Sequence, residues 1–172
     1  MNAWRFCPLC GAGLEPRDVG GLARLHCVAD CGFVHWDNPA PVLAALVEYR
    51  GRILLARNRA WASGAFGLIT GFLERGEEPA AGVAREVREE LGLEVSAFAL
   101  IGVYPFSRKH EVIIAYHVLA DGVISLNEEL AEYRLIAPEN LNPCLTGQSK
   151  PISESIACVL KKYRVALQAG NF

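Results

Sequence analysis

The segment from Gly71 to Leu93 constrains the fold of this chain more than any other. Pro79 suits the first turn of a helix, and Gly92 suits the left-handed position that ends one. Between them, apolar side chains recur at intervals of three and four residues and so share one face: Ala80, Val83, Ala84, Val87 and Leu91. Because a helix with one apolar face must pack against another layer, we expect this helix to lie on a sheet.

Three glutamates occupy a neighbouring face of the same helix. They stand at positions i, i+3 and i+4, where their carboxylates approach one another: Glu86, Glu89 and Glu90. Like charges this close are unfavourable, which leaves two interpretations. One is a solvated acidic face that Arg85 and Arg88 neutralise. The other is a site for Mg²⁺ or Mn²⁺, which prefer oxygen ligands, with a backbone carbonyl added by the glycine-containing loop at 71–76.

Two pairs of cysteines predict a zinc ribbon at residues 1–37. The pairs are separated by a hairpin turn signal at residues 18–21, and a glycine follows each pair; the four residues are Cys7, Cys10, Cys27 and Cys31. Four thiolates close the coordination shell of Zn²⁺ and leave no position for water, so we expect a structural ion rather than a catalytic one.

Other interpretations of these cysteines stay open on sequence alone. The second pair has three intervening residues instead of two, and His26 and His35 stand nearby as alternative ligands. Two disulfides or four free thiols would also account for the cysteines. The spacing favours zinc, because it falls within the range that zinc ribbons use.

The rest of the chain predicts a layered α/β or α+β domain over residues 38–172. Pro39 and Pro41 mark the boundary, and Trp36 just before it is either a packing residue or an aromatic platform for a base. We expect strands at 42–49, 52–57, 65–69, 95–104, 111–119 and 132–137, a turn at 138–141 and a final amphipathic helix at about 151–167.

Composition excludes several classes of protein. The 172 residues carry a formal net charge of −2 with a pI near 6.1, which gives no general attraction to nucleic acid or to anionic membranes. No apolar run reaches the roughly 18 residues that span a bilayer, and the N-terminal residues do not resemble a signal peptide. We therefore expect a cytoplasmic protein without membrane association.

The segment 71–93 resembles the Nudix box. In that motif a glycine is followed after five residues by a glutamate and after seven more by Arg-Glu-aliphatic-x-Glu-Glu-x-Gly-aliphatic. The positions that match are Gly71, Glu77, Arg85, Glu86, Val87, Glu89, Glu90, Gly92 and Leu93. The resemblance implies an α/β/α sandwich and metal-dependent hydrolysis of a diphosphate linked to a nucleoside.

The same resemblance assigns roles to individual residues. It implies that Glu86, Glu89 and Glu90 bind Mg²⁺ or Mn²⁺ or activate a water, that the carbonyl of Thr70 or Gly71 completes the shell, and that Arg85 and Glu77 fix the loop against the helix. Glu132 resembles the distant glutamate that many members use as a further ligand or base, and Glu128 and Glu129 are alternatives. Charge on the departing phosphate would be stabilised by Arg57, Arg59 or Arg75.

A cysteine ribbon before such a domain is similar to the NADH pyrophosphatase group and to a plant FAD pyrophosphatase. In that group an aromatic at the place of Trp36 stacks on the substrate. Where those enzymes carry Ser-Gln-Pro-Trp-Pro-Phe-Pro, this chain has Val-Tyr-Pro-Phe-Ser at 103–107. The resemblance therefore implies the broader class of dinucleotide and ADP-ribose-type diphosphates, which are cleaved to two monophosphates. We also expect a homodimer.

Two further functions are compatible with the sequence. One is a Nudix ligand sensor or a zinc-ribbon nucleic-acid-binding protein, against which the complete carboxylate set argues. The other is hydrolysis of an NAD-capped RNA end, which uses the same chemistry and needs a basic track near residues 108–110.

Overall fold

A computed structural model of the chain describes residues 4–141, 159, 161–163 and 165. The chain divides into two compact units, Met1–Pro39 and Ala40–Phe172. The sequence placed this boundary after residue 37. Among the described residues, no helix has the length and apolar character needed to cross a membrane.

The small unit is a three-stranded antiparallel sheet. Its strands are β1 (Leu14–Val19), β2 (Leu22–Cys27) and β3 (Val34–His35), in the order β1-β2-β3. Gly20 and Gly21 connect β1 to β2, and both have positive φ, 66° and 80°. Glycine adopts this conformation without steric cost, which is why the predicted hairpin forms here.

The large unit is built on a six-stranded mixed sheet. Its main path runs β7-β8-β4-β5-β9, and β6 pairs with β4 outside that path. Strand β4 is parallel to β8, and the other pairings are antiparallel. The strand bounds are β4 Ala40–Tyr49, β5 Arg52–Asn58, β6 Ile69–Phe72, β7 Glu94–Phe106, β8 Glu111–Asp121 and β9 Leu130–Ile136.

Helix α1 (Pro79–Leu91) covers one face of this sheet, and the C-terminal helical residues cover the other. On the α1 side, Val83, Val87 and Leu91 pack with strand residues such as Leu43 and Val47. On the opposite side the buried cluster includes Leu46, Leu55, Val159 and Tyr163. The sheet is therefore buried on both faces, as the predicted α/β/α sandwich requires.

Helix α1 begins and ends where the sequence predicts. Pro79 occupies its first turn, and Gly92 caps its end with φ 67° while its N–H donates to the carbonyl of Arg88 at 2.9 Å. Within the helix, a Cβ at Gly82 would overlap the side chains of Leu43 and Glu77. This glycine lets the helix approach β4 closely and so fixes the height of α1 above the sheet.

The strand predicted at 65–69 is wrong, because the strand lies at Ile69–Phe72. Thr70 and Gly71 belong to β6 and pair with Ala44 and Leu43 of β4, instead of following a strand. The residues before them are apolar for another reason, since Phe66 and Leu68 pack into the sheet face opposite α1. Gly67 makes an isolated bridge to Ala56.

The remaining elements agree with the sequence in kind. Strands β7 and β8 extend beyond the predicted bounds, and the predicted turn at 138–141 is a 3₁₀ helix at Pro138–Asn140. Of the final predicted helix, the residues described as helical are Val159, Lys161, Lys162, Tyr163 and Val165. The rest of the range 151–167 lies outside the described residues.

Candidate active site and candidate metal centres

Glu86 and Gly71 form the innermost contact of the candidate active site. The carboxylate of Glu86 lies against the backbone of Gly71, so that a Cβ at position 71 would overlap it. Only glycine leaves room for the carboxylate at this point of β6. The structure thus brings together the helix glutamate and the strand residue whose carbonyl was predicted as a ligand.

Arg85 fastens the loop before the helix to the helix itself. Its Nε donates to Glu77 at 2.8 Å, and its Nη2 donates to the carbonyl of Phe72 at 3.2 Å. Its Nη1 donates to Glu86 at 2.8 Å and to Glu89 at 3.1 Å. Hydrogen bonding from this guanidinium also lowers the pKa of Glu77. These contacts are those of a residue that positions the site.

Glu90 has the most perturbed carboxyl group of the site. It is 9% exposed, and burial, followed by the negative charges of Glu86, Glu129 and Glu89, raises its pKa to about 8. Without a cation nearby, Glu90 therefore holds its proton at neutral pH. A divalent cation beside Glu90 would lower this pKa, because it favours the ionised carboxylate.

The negative charge of Glu129 contributes to the raised pKa of Glu90, whereas Glu132 does not contribute to it. The backbone N–H of Asn127 donates to the Glu90 carbonyl at 3.1 Å, which docks the segment before β9 on the end of α1. The side chain of Asn127 in turn accepts from the N–H of Glu129 at 3.0 Å. Asn127 is the sequence signal that marks this turn, since asparagine commonly accepts from the backbone N–H two residues on.

Glu132 is paired with Arg57. These two predicted site residues stand opposite each other on β9 and β5, and Arg57 Nε donates to Glu132 at 2.6 Å. Arg57 also donates to the carbonyl of Trp61 at 3.4 Å. The pair links two strands, and the metal role of Glu132 and the phosphate role of Arg57 stay predictions.

The other predicted basic and acidic residues are distributed around the same edge. Arg59 donates to the backbone carbonyl of Glu128 at 2.7 Å, so it serves to hold the loop before β9. Arg75 is exposed on the loop between β6 and α1. Phe72, which sequence analysis did not single out, is 58% exposed beside Gly71. An exposed aromatic ring beside the site offers a surface on which a base could stack, and its exposure is what draws attention to it.

The four cysteines of the small unit form a closed cluster. Their Sγ atoms all lie within 4.8 Å of one another; within the described ranges, no other set of three or more His, Cys, Asp and Glu side chains is gathered like this. The sulfurs of Cys7 and Cys31 are 3.5 Å apart and those of Cys10 and Cys27 are 3.4 Å apart. Disulfide sulfurs lie about 2.05 Å apart, whereas the edges of a tetrahedral zinc site measure about 3.8 Å.

The turns around the cysteines suit a metal. Burial opposes ionisation of Cys27, but hydrogen bonds from the Ala29 N–H and the Cys10 thiol outweigh it and lower the pKa of Cys27 to about 7. Asp30 accommodates the extra residue of the second pair by adopting φ 51°. His26 lies 3.6 Å from Asp30, and the ring of His35 lies 5.2 Å from Trp4, so the cluster is formed by cysteines alone. The residues present fit Zn²⁺.

Comparison with known families identifies the large unit. The model of the NUDIX domain matches residues 37–156. The chain belongs to the Nudix family. The matched range begins after the cysteine cluster and contains every glutamate described above, so the Nudix box at 71–93 and the loop carrying Glu129 fall within one family domain.

Two curated relatives share one protein name. The chain is 31% identical over 173 residues to the NAD-capped RNA hydrolase NudC of Stutzerimonas stutzeri, and 34% identical over 143 residues to that of Vibrio vulnificus. These alignments cover 99% and 81% of this chain but 59% and 53% of the relatives. The chain thus spans little more than half the length of the curated relatives it matches.

Solved structures share the Nudix fold. A NUDIX hydrolase from Nitrosomonas europaea superposes with a TM-score of 0.77 at 26% identity, over 97% of this chain and 94% of that one. The NUDIX domain of Shewanella oneidensis NrtR, solved in complex with ADP ribose, superposes over 75% of this chain and 88% of that one, with a TM-score of 0.60 at 13% identity. The second likeness concerns the fold alone.

Trp36 stands one residue before the matched Nudix range. It is 54% exposed, and within the small unit the guanidinium of Arg24 lies over its ring at 4.9 Å from the centroid. Its face is therefore able to hold a planar cation. The role of Trp36 as a platform for a base stays a prediction.

Proposed function

We propose that this chain hydrolyses the diphosphate bond of a dinucleotide or an ADP-ribose-type compound and releases a nucleoside monophosphate. The observation that carries the proposal is the Glu86 carboxylate packed against Gly71, with the negative charges of Glu86, Glu89 and Glu129 acting on the buried Glu90. Membership of the Nudix family and the names of the curated relatives support it.

The carboxylates fit a hard divalent cation. Glu86, Glu89 and Glu90, with the carbonyl of Thr70 or Gly71, would hold Mg²⁺ or Mn²⁺, because such ions favour clustered oxygen ligands. When bound, the cation neutralises the diphosphate and lowers the pKa of a water near it. Arg85 keeps Glu86 in place through its link to Glu77 and the Phe72 carbonyl.

A glutamate near this cation accepts the proton of the attacking water. We assign this role to Glu90, which is buried on α1 close to Glu86 and Glu89. We assign the outside carboxylate to Glu129 and propose that Glu132 orders Arg57 and stays outside the metal shell. Arg75, exposed on the loop before α1, is the cation available to the departing phosphate, and the exposed face of Phe72 is available to a base.

The reaction is tested with a substrate panel and matched variants. The intact chain is incubated with NADH, FAD and ADP-ribose in Mg²⁺ or Mn²⁺, and the products are separated by ion-exchange chromatography. We expect AMP from at least one substrate. Glu90→Gln should lose roughly 100-fold or more of the rate, while Glu94→Gln, an exposed glutamate paired with Arg88, should retain it. Absence of AMP from every substrate, or an active Glu90→Gln variant, would overturn the proposal.

The assignment of the outside glutamate has its own test. Glu129→Gln should raise the concentration of Mg²⁺ needed for half-maximal rate by about 10-fold or more, whereas Glu132→Gln should change this concentration little. The reverse order would assign the metal to Glu132 and show that the Arg57 pair opens in the working enzyme.

A second candidate substrate is an NAD-capped RNA end, because both curated relatives described above are named for it. In the turn between β7 and β8, Lys109 Nζ lies 6.0 Å from the centre of the Phe106 ring, next to Arg108 and His110. If RNA is the substrate, Arg108→Ala should slow cleavage of a capped RNA more than cleavage of NADH. Equal effects on the two would favour the small dinucleotide.

The small unit completes the proposal with a structural ion. We propose that Cys7, Cys10, Cys27 and Cys31 hold one Zn²⁺, that the chain forms a homodimer, and that it acts in the cytoplasm on a small nucleotide. Metal analysis of the pure protein and light scattering after size exclusion test the first two statements. A protein without zinc, or a monomer at working concentration, would contradict them.

A further inference from the structure

A cavity lies in the large unit, on the sheet face opposite α1. Its volume is about 460 Å³, within the range of small-molecule sites. Glu48 of β4 and His117 of β8 form its polar side, together with Tyr163, whose hydroxyl interacts with Glu48. Ala97 and Ala99 of β7 and Leu119 of β8 form an apolar side.

This cavity is separate from the carboxylates of the Nudix box. Gly71 pairs with Leu43 of β4, whose side chain packs on the α1 side. Glu48 is five residues further along the same strand, about 16 Å away at the rise of a β-strand. By the alternation of the strand it shares the face of Leu46, which packs opposite α1. The hydrolytic mechanism therefore makes no use of Glu48.

The polar side of the cavity is a carboxylate–imidazole pair. His117 Nε2 and Glu48 Oε2 are 2.9 Å apart, and the side chains are 7% and 26% exposed. Burial lowers the pKa of His117, despite its carboxylate neighbour, so the imidazole is neutral at pH 7. Glu48 is the acidic member of the pair, and the described residues that line the cavity include no Lys or Arg.

Packing alone gives no reason for this pair. Glu48 interrupts an otherwise apolar strand, and a buried ionisable pair contributes no more to stability than apolar residues of similar volume. Across from it, Ala99 stands opposite His117 and Ala97 opposite Leu119 in the β7–β8 register. These small residues leave open the space next to the carboxylate that larger ones would fill. A charged group turned toward an open apolar cavity is typical of a ligand site.

We propose that this cavity binds a small organic cation, with an ammonium or similar N–H donor beside Glu48 and an apolar body against Leu119 and the two alanines. The argument concerns charge and shape at this cavity and does not depend on the hydrolytic function.

The probe is phenethylammonium, and the full chain is titrated with it in the presence of Mg²⁺ while amide shifts are followed by NMR. We expect saturable shifts at Glu48, His117 and Leu119. The anion 3-phenylpropionate has the same ring on a similar chain, and we expect its binding to be weaker by roughly tenfold or more.

Two variants test the charge of Glu48 and the open space of the cavity separately. Glu48→Gln keeps an oxygen for His117 but removes the charge, and Ala99→Leu fills the cavity and keeps both members of the pair; each should weaken the cation roughly tenfold. Glu94→Gln, on the exposed start of β7, is the matched control and should bind as the unaltered chain does. Absence of saturable shifts, shifts confined to residues 86–90, equal binding of the anion, or unchanged affinity in Ala99→Leu would each overturn the proposal.

Discussion

The cysteine cluster of the small unit and the glutamate group of the large unit differ in how their ligand atoms are held. The four sulfurs already lie within 4.8 Å of one another, on turns fixed by backbone hydrogen bonds. The carboxylates are spread instead: Arg85 binds Glu86 and Glu89, while Glu90 is buried with a raised pKa.

The difference agrees with the two uses of a cation that we propose. A closed set of four soft ligands serves an ion that stays, because it leaves no room for water or substrate. A loose set of hard ligands, held by an arginine, serves ions that arrive and leave with a phosphate compound and keep water in their shell. The two regions should therefore respond in opposite ways to the loss of a ligand.

The largest effect is expected at the cysteines. Zinc binding supplies on the order of 10 kcal/mol of folding free energy to small units of this kind. Cys27→Ser should therefore lose the zinc and the dispersed amide signals of residues 14–35, while signals from residues 40–141 persist. Metal analysis and NMR measure both. Cys144→Ser, outside the two cysteine pairs, is the control. Retention of one zinc per chain in Cys27→Ser would show that a histidine substitutes.

The next largest effect is expected for Gly71→Ala, on the rate of the reaction. The added methyl group overlaps the Glu86 carboxylate and must displace it, so we expect the rate of diphosphate hydrolysis to fall roughly 100-fold or more. Steady-state kinetics and thermal unfolding are measured together. For Gly13→Ala the nearest atom lies 3.9 Å from the new methyl, and this control should keep its rate. A fully active Gly71→Ala would mean that Glu86 works from another position.

Arg85→Gln should cost about 1–3 kcal/mol of stability in the metal-free protein, because it leaves Glu86 and Glu89 without their shared cation. Mg²⁺ should restore part of this loss. Arg88→Gln removes an exposed pair with Glu94 and should cost less than about 1 kcal/mol, with no response to Mg²⁺. Urea unfolding with and without Mg²⁺ measures the loss of stability in both variants. Equal losses in both variants would contradict the role given to Arg85.

A pH dependence is also expected from Glu90. Its pKa is raised from 4.5 to about 8 in the folded chain, so between these values the folded state holds a proton that the unfolded state has lost. Stability of the metal-free protein should therefore fall as pH rises from about 4.5 to 8, by at least about 1 kcal/mol, since each pKa unit corresponds to about 1.4 kcal/mol. Unfolding midpoints measured in EDTA should show this slope, and Glu90→Gln should reduce it.

Elements defined by neighbouring residues could be predicted from the sequence. Gly20 with Gly21, and Arg50 with Gly51, adopt positive φ and form the two-residue turns that their flanking strands indicate. Pro79 and Gly92 bound α1 as predicted. These features are encoded within a few positions, so composition and spacing suffice to find them.

Features that depend on distant packing could not be predicted. The charge of Glu129 acts on Glu90 because the segment before β9 is hydrogen-bonded to the end of α1, through Ser125 to Leu91 and Asn127 to Glu90. The sequence offered three glutamates at 128–132 without this information. Likewise, the pairing of Arg57 with Glu132 follows from the register of β5 against β9, which no local pattern specifies.

The parallel pairing of β4 with β8 has a consequence for how the chain acquires its structure. Ala40 lies opposite Glu111, whereas the β7–β8 hairpin closes through a short turn. Contacts so distant in sequence form late, since the intervening loop must first be ordered. On a ribosome, β4 has no β8 to pair with until residue 121 has emerged. The nascent chain therefore carries its complete Nudix box before the sheet on which α1 packs has formed.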